Sequence, residues 1–158
     1  GLSPALVVTD SDEHDELGHL TEGAQIRTEQ VAKRLRKISA LKGDITPPEL
    51  YGFKKAELTL IGWGSTYGAL REVVDILGKE IKINLLHFRE LWPFPAEMVD
   101  RMLAGTEKVC IVENNATGQL ARLIRAETGR EISRKILKYD GRPFTPAYIV
   151  ERLRKEEI

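Results

Sequence analysis

The chain has one cysteine, Cys110, among its 158 residues. A single thiol cannot close an internal disulfide, and it cannot supply the ligand sets of multi-cysteine zinc or iron–sulfur sites. An excess of charge is also missing, because 24 Lys and Arg offset 24 Asp and Glu. General binders of nucleic acid or other polyanions normally carry a basic surplus, so that class is disfavoured. No apolar run approaches the roughly 20 residues of a membrane span, and there is no basic-then-apolar signal segment. The expectation is a soluble protein of a reducing compartment, the cytoplasm, with neither nucleic acid nor membrane as partner. What the chain does have is charge, at 30% of residues, slightly above the ~25% usual for soluble proteins. Its length allows one ordinary domain that buries roughly 70% of the unfolded surface and needs no staple.

The zero net charge hides a local asymmetry. Residues 1–22 carry six carboxylates and no Lys or Arg, whereas residues 23–43 carry six cations against Glu29. These stretches can attract each other, or two different partners. Thr21 is suited to N-cap a helix starting at Glu22, and Ala24, Val31, Leu35 and Ile38 fall on one stripe of it. Residues 33–37 would then lie in its last turns, where cations complement the helix dipole. Gly43, Pro47 and Pro48 mark a linker. The expected division is residues 1–50, an acidic segment with an amphipathic helix and linker, and residues 51–158, an α/β domain. Residues 1–20, short of core side chains after Val8, are expected to be extended or poorly ordered.

From Glu57 the pattern changes. Apolar strand-like runs at 58–63, 81–88, 108–112 and 135–139 alternate with amphipathic helical stretches at 67–77, after Pro95, from Thr117 to Ala126, and after Thr145-Pro146. This alternation is the βαβ signature, and near-continuous apolar strands suit a parallel sheet covered on both faces. The expected fold is a three-layer α/β/α domain with a mostly parallel sheet of four to five strands, preceded by a helical connector.

In such a sheet ligands gather beyond the carboxyl ends of the strands, which here point to four loops. In G62-W-G-S-T-Y-G68, Gly64, Ser65 and Thr66 stand where amides at a helix start can hold an anion. The spacing is one residue longer than the dinucleotide fingerprint, and a tight structural turn is the rival reading. In E113-N-N-A-T-G-Q119, Asn114 and Asn115 can bind a ligand or a neighbouring chain, or simply bond backbone groups and cap the helix. Arg142, in a D-G turn, can take a carboxylate or phosphate bidentately or be an ordinary surface residue. The loop 89–95 places Leu91, Trp92 and Phe94 within four residues, a composition that suits either an interface or core packing.

Other features carry less. The cluster D12-E-H-D-E-L-G-H19 has two imidazoles, but its spacing matches neither a zinc pattern nor a calcium loop. An acidic turn or docking loop is the better reading, with a regulatory metal module as an alternative. Cys110 reads as a buried small hydrophobe. Ser65 lacks the G-x-S-x-G nucleophile elbow, since Tyr67 replaces the second glycine. No catalytic and no metal-binding residue is assigned.

The stretches TDSDEHDELGHLTEGAQIRTEQVAKRLRK, LIGWGSTYGALREVVDIL, LLHFRELWPFP, VENNATGQLARLIRAETG and KYDGRPFTP span nearly the whole chain. In this order they resemble the C-terminal part of the α subunit of 2-oxoacid:ferredoxin oxidoreductases, most of all the 2-oxoglutarate type. The resemblance implies a domain like the C-terminal domain of transketolase, with its preceding connector. It also implies a complete enzyme that converts a 2-oxoacid and coenzyme A to acyl-CoA, carbon dioxide and reduced ferredoxin. Such an enzyme uses thiamine diphosphate, magnesium and iron–sulfur clusters. The β subunit would hold the diphosphate and magnesium, and coenzyme A would sit on a different domain.

The pyrimidine-binding domain of the α subunit has no counterpart in this sequence. The expectation is therefore a fragment without a complete active site, binding no cofactor itself. It would serve assembly with the rest of the α subunit and the β subunit, meet ferredoxin through the complex, and be inactive alone. A homodimer is also open. The rival is a stand-alone nucleotide- or anion-binding domain that uses residues 62–66.

Overall fold

The computed structural model describes residues 12–155, and these divide into two compact units between Asp44 and Ile45. In the first unit, α1 spans Ala24–Leu41. Thr21 does not cap it. Gly23 is the N-cap residue, and the Thr21 hydroxyl instead accepts the Gly23 amide at 3.1 Å. The helix also runs on to Leu41, so residues 33–37 lie in its middle rather than its last turns.

Residues 12–20 are folded into a closed turn rather than extended, with a bridge between His14 and Leu20. The Asp15 carboxylate accepts the amides of Leu17 and His19 at 2.8 and 2.9 Å. The Arg34 guanidinium grips Glu13 with two bonds, at 3.2 and 2.6 Å, and Lys33 meets Glu16 at 3.5 Å. The opposite charges of the two N-terminal stretches thus pair within this unit. The Arg34 fork holds the Glu13 carboxyl down at about 2. Expectations for residues 1–11 fall outside the described residues.

One helix and one short turn offer little surface against which an apolar stripe can be buried. Val31, Leu35 and Leu41 of α1 accordingly remain exposed, at 38%, 59% and 45%. Of the stripe read from the sequence, Val31 and Leu35 are thus exposed and Ile38 is half-buried.

The second unit is a five-stranded sheet in the order β1-β3-β2-β4-β5. The elements follow one another as β1 (Glu49–Gly52), β2 (Leu58–Trp63), α2 (Tyr67–Leu77), β3 (Ile83–Phe88), α3 (Ala96–Leu103), β4 (Lys108–Glu113), α4 (Gln119–Thr128), β5 (Arg134–Leu137) and α5 (Pro146–Lys155). Four strands are parallel, and β1 pairs antiparallel with β3 at one edge. β1 was not expected: a four-residue strand with alternate exposure carries no apolar run, and it exists because β3 offers it a ladder. The boundary anticipated near residue 50 lies inside this strand.

Period-two alternation divides the core. Leu58, Leu60, Ile83, Leu85, Cys110 and Val112 face one side, with Leu70, Val73, Val74, Ile149 and Leu153 of α2 and α5. Ile61, Leu86, Phe88 and Ile111 face the other, with Val99 and Leu103 of α3 and Leu120 and Ile124 of α4. Both sides of β2, the central strand, are therefore buried, and each such side chain contributes about 1.5–3 kcal/mol by leaving water. Thr145 caps α5 as expected, its hydroxyl accepting the Tyr148 amide at 3.3 Å.

Candidate functional site

Parallel pairing aligns the ends of β2, β3 and β4, so Trp63, Phe88 and Glu113 and the loops after them share one edge of the sheet. The centre of that edge is Glu113, which is fully buried. Its Oε2 accepts Trp63 Nε1 at 3.3 Å, Asn115 Nδ2 at 2.8 Å and the Leu120 amide at 2.9 Å. Its Oε1 accepts the Ala121 amide at 3.1 Å. A carboxylate at the start of α4 meets the positive end of the helix dipole and satisfies amides that have no partner within the helix.

Asn115 completes the arrangement. Its Oδ1 accepts the amides of Thr117, Gly118 and Gln119 at 3.1, 2.7 and 3.3 Å. The helix is thus capped from Glu113 and Asn115, not from Thr117 as expected. Gly118 is required at the turn, with φ of +64°. Sequence reasoning placed Glu113 in the loop but missed its role. The available signal was one carboxylate ending an otherwise apolar strand.

The other anticipated residues are arranged around this centre. Thr66 is buried, and its hydroxyl accepts the Trp63 amide at 3.1 Å and donates to the Trp63 carbonyl at 2.9 Å. Its bonding capacity is therefore spent on closing its own turn. Gly64 and Ser65 are exposed in that turn, where Gly64 adopts φ of +55°. Asn114 is exposed and donates to the Arg142 carbonyl at 3.4 Å. The loop of Asp140 and Arg142 is held by Lys138, which bonds Asp140 and, at 3.1 Å, the Arg142 carbonyl. The Arg142 side chain is exposed.

The loop 89–95 divides its aromatics. Phe94 is buried and stacks on Phe88 with ring centres 5.8 Å apart, Leu91 is half-buried, and Trp92 is 58% exposed. Core packing accounts for Phe94 and not for Trp92.

A further cluster, absent from the sequence reading, forms where β1 meets β3. Glu49 accepts the Tyr67 hydroxyl at 2.8 Å and pairs with Arg89. Opposite Glu49 in the register lies His87, only 4% exposed. His87 Nε2 is 3.1 Å from the Gly64 carbonyl, the ring lies 4.9 Å from that of Tyr67, and Nδ1 has no partner. Burial pushes the His87 pKa below its ordinary 6.5, with the Gly64 carbonyl and Glu49 opposing.

Because the folded value is depressed, the unfolded chain binds the extra proton first. Stability is therefore expected to fall as pH drops from 6.5 toward the folded value, and to level off below it. His87→Gln should flatten that part of the curve relative to wild type, whose other histidines stay in common. Urea midpoints measured between pH 7 and 5 check this, and equal slopes for the two proteins would contradict it.

The lone Cys110 is buried in β4, and no group of three or more His, Cys, Asp or Glu able to hold a metal occurs among the described residues. A single thiol does not fit the ligand set of an iron–sulfur cluster.

The model of pyruvate:ferredoxin oxidoreductase core domain II matches residues 56–149. The chain is 37% identical over 159 residues to 2-oxoacid:ferredoxin oxidoreductase 2, subunit alpha, of Aeropyrum pernix, covering 96% of this chain and 25% of that protein. It is 32% identical over 157 residues to pyruvate synthase subunit PorA of Methanothermobacter thermautotrophicus, covering 94% of this chain and 41% of the relative. Among solved structures, the 2-oxoglutarate:ferredoxin oxidoreductase from Magnetococcus marinus, with 2-oxoglutarate, coenzyme A and succinyl-CoA bound, superposes with a TM-score of 0.75 at 31% identity. That match covers 99% of this chain and 27% of the other. The chain thus spans about a quarter of the length of the first curated relatives it matches. A five-stranded, mostly parallel sheet in this order and a family match over more than half the sequence agree: the chain belongs to the pyruvate:ferredoxin oxidoreductase core domain II family.

Proposed function

We propose that this chain acts as a non-catalytic assembly domain of the α subunit of a thiamine-diphosphate-dependent 2-oxoacid:ferredoxin oxidoreductase, of the 2-oxoglutarate type. The whole complex would convert a 2-oxoacid and coenzyme A to acyl-CoA, carbon dioxide and reduced ferredoxin, in the cytoplasm. Its partners would be the rest of the α subunit and the β subunit, with ferredoxin reached through the complex. The 2-oxoglutarate assignment rests on the likeness to the Magnetococcus marinus enzyme over 99% of this chain. No helix among the described residues is long and apolar enough to cross a membrane.

The observation that carries the assembly reading is the contrast at the sheet's carboxyl edge. Glu113, Asn115 and Thr66 spend their bonds on the fold's own backbone, whereas Trp92 stands exposed beside a buried Phe94. An exposed tryptophan on a loop stiffened by prolines loses little conformational entropy on docking. The uncovered α1 stripe is a second surface of this kind.

The test is to express the chain together with the remaining α-subunit segment and the β subunit of a relative. Co-elution on size exclusion is expected, as is no thiamine diphosphate binding by calorimetry when the chain is alone with magnesium. Micromolar binding by the isolated chain, or failure to co-elute, would defeat the proposal.

A further inference from the structure

A cleft of about 580 Å³ opens at the opposite edge of the sheet, near the amino ends of β2 and β3. Its volume is within the range of roughly 300–1,000 Å³ typical of small-molecule sites. It does not touch Glu113, His87 or the loops described above. Thr59 and Asn84, neighbours in the β2–β3 register, line it from the sheet and are 4% and 5% exposed. Leu50, Leu86 and Met102 add apolar surface. Lys54 and Lys55 come from the β1–β2 connection and Arg101 from the last turn of α3.

Two features of this cleft call for a ligand. The first is the Asn84 side chain: its Nδ2 donates to the Phe53 carbonyl at 2.8 Å, while its Oδ1 is buried and has no partner. A buried acceptor without a donor is unfavourable, so a molecule that brings an N–H recovers that loss. The second is charge. In a chain of zero net charge, this lining holds three cations and no carboxylate. Arg101 has only a long 3.9 Å contact with the exposed Glu97, and the two lysines have no ion pair among the described residues.

We infer that this cleft binds a small anion carrying a flat apolar body and a neutral N–H donor, the chemistry of an aminopurine nucleotide. The phosphate would meet Lys54, Lys55 and Arg101, and the base would lie along Leu50, Leu86 and Met102 with its amine on Asn84 Oδ1. A neutral donor is required, because an ammonium group would be repelled by the three cations. The inference rests on this cleft alone and stands whether or not the assembly role does.

The test is an amide-resolved NMR titration of the 158-residue chain with AMP, and with ribose 5-phosphate as the baseless control. AMP should give saturable shifts at Thr59, Asn84, Met102 and Gly105, and bind at least about tenfold more tightly than ribose 5-phosphate. The double substitution Lys54→Ala/Lys55→Ala should weaken AMP by about tenfold or more while leaving the melting curve unchanged, since both lysines are exposed. Arg101→Gln should act in the same direction. Equal binding of ribose 5-phosphate would show a cationic patch only and overturn the inference. So would absence of saturation, shifts elsewhere on the chain, or insensitivity to all three substitutions.

Discussion

Glu113→Ala should cost about 3–5 kcal/mol of folding stability, a large share of the roughly 5–15 kcal/mol that holds a domain together. The substitution removes one acceptor group but strands four donors. Trp63 Nε1 and Asn115 Nδ2 lose their partner, as do the amides of Leu120 and Ala121 in the first turn of α4. Leu120 and Ala121 are buried, so water cannot replace the carboxylate without opening the helix start.

Glu113→Gln separates charge from shape. It keeps the side-chain volume but turns one oxygen into an NH2 that faces donors, and it gives up the attraction to the helix dipole. Its loss should be smaller, about 1–3 kcal/mol. Urea unfolding followed by Trp63 fluorescence reads both variants, because Trp63 bonds to the carboxylate that is removed. A loss below about 1 kcal/mol for Glu113→Ala would show that the buried carboxylate is dispensable.

The second large effect lies in the loop 89–95, where two neighbouring aromatics should respond in different ways. Phe94→Ala should destabilise the chain by about 3–5 kcal/mol, because Phe94 is 7% exposed and stacked on the buried Phe88. Trp92→Ala should change stability by less than about 1 kcal/mol, because Trp92 is 58% exposed. On the assembly reading, Trp92→Ala should instead weaken association with the partner segment or with a second copy by about 2 kcal/mol, near thirtyfold in Kd. Melting at several protein concentrations, together with co-elution titrations, separates the two. A concentration-independent loss of several kcal/mol for Trp92→Ala, with association intact, would remove Trp92 as an interface residue.

Much of the α/β architecture was legible in the residue order. Strands β2 and β4 read as strands because a parallel sheet covered on both sides leaves little room for polar residues along them. The helix α2 read to its observed ends, Tyr67 and Leu77, because Leu70, Val73, Val74 and Leu77 recur at helical spacing and Gly78 follows. Thr145 and Pro146 marked the start of α5, because capping depends on residues within one turn of each other. These are local relations, and a sequence displays local relations directly.

What escaped depends on partners far along the chain. β1 is a strand only because β3, more than thirty residues later, presents a free edge to it. Thr21 and Thr117 look like caps in isolation, yet Gly23 occupies one position and Glu113 and Asn115 take over the other. Trp63 reaches Glu113 across fifty residues. The stripe on α1 has helical period, but period alone does not say what covers a face, and Val31 and Leu35 are left open.

Period, which acts between near neighbours, thus determined the order of the elements from β2 to α5 and the layered class from sequence alone. The tertiary structure decided the burial of Glu113, the unpartnered oxygen of Asn84, and the gathering of Lys54, Lys55 and Arg101 in one cleft. Each of these results from strands and helices brought together by the sheet order, a long-range arrangement that no local pattern encodes.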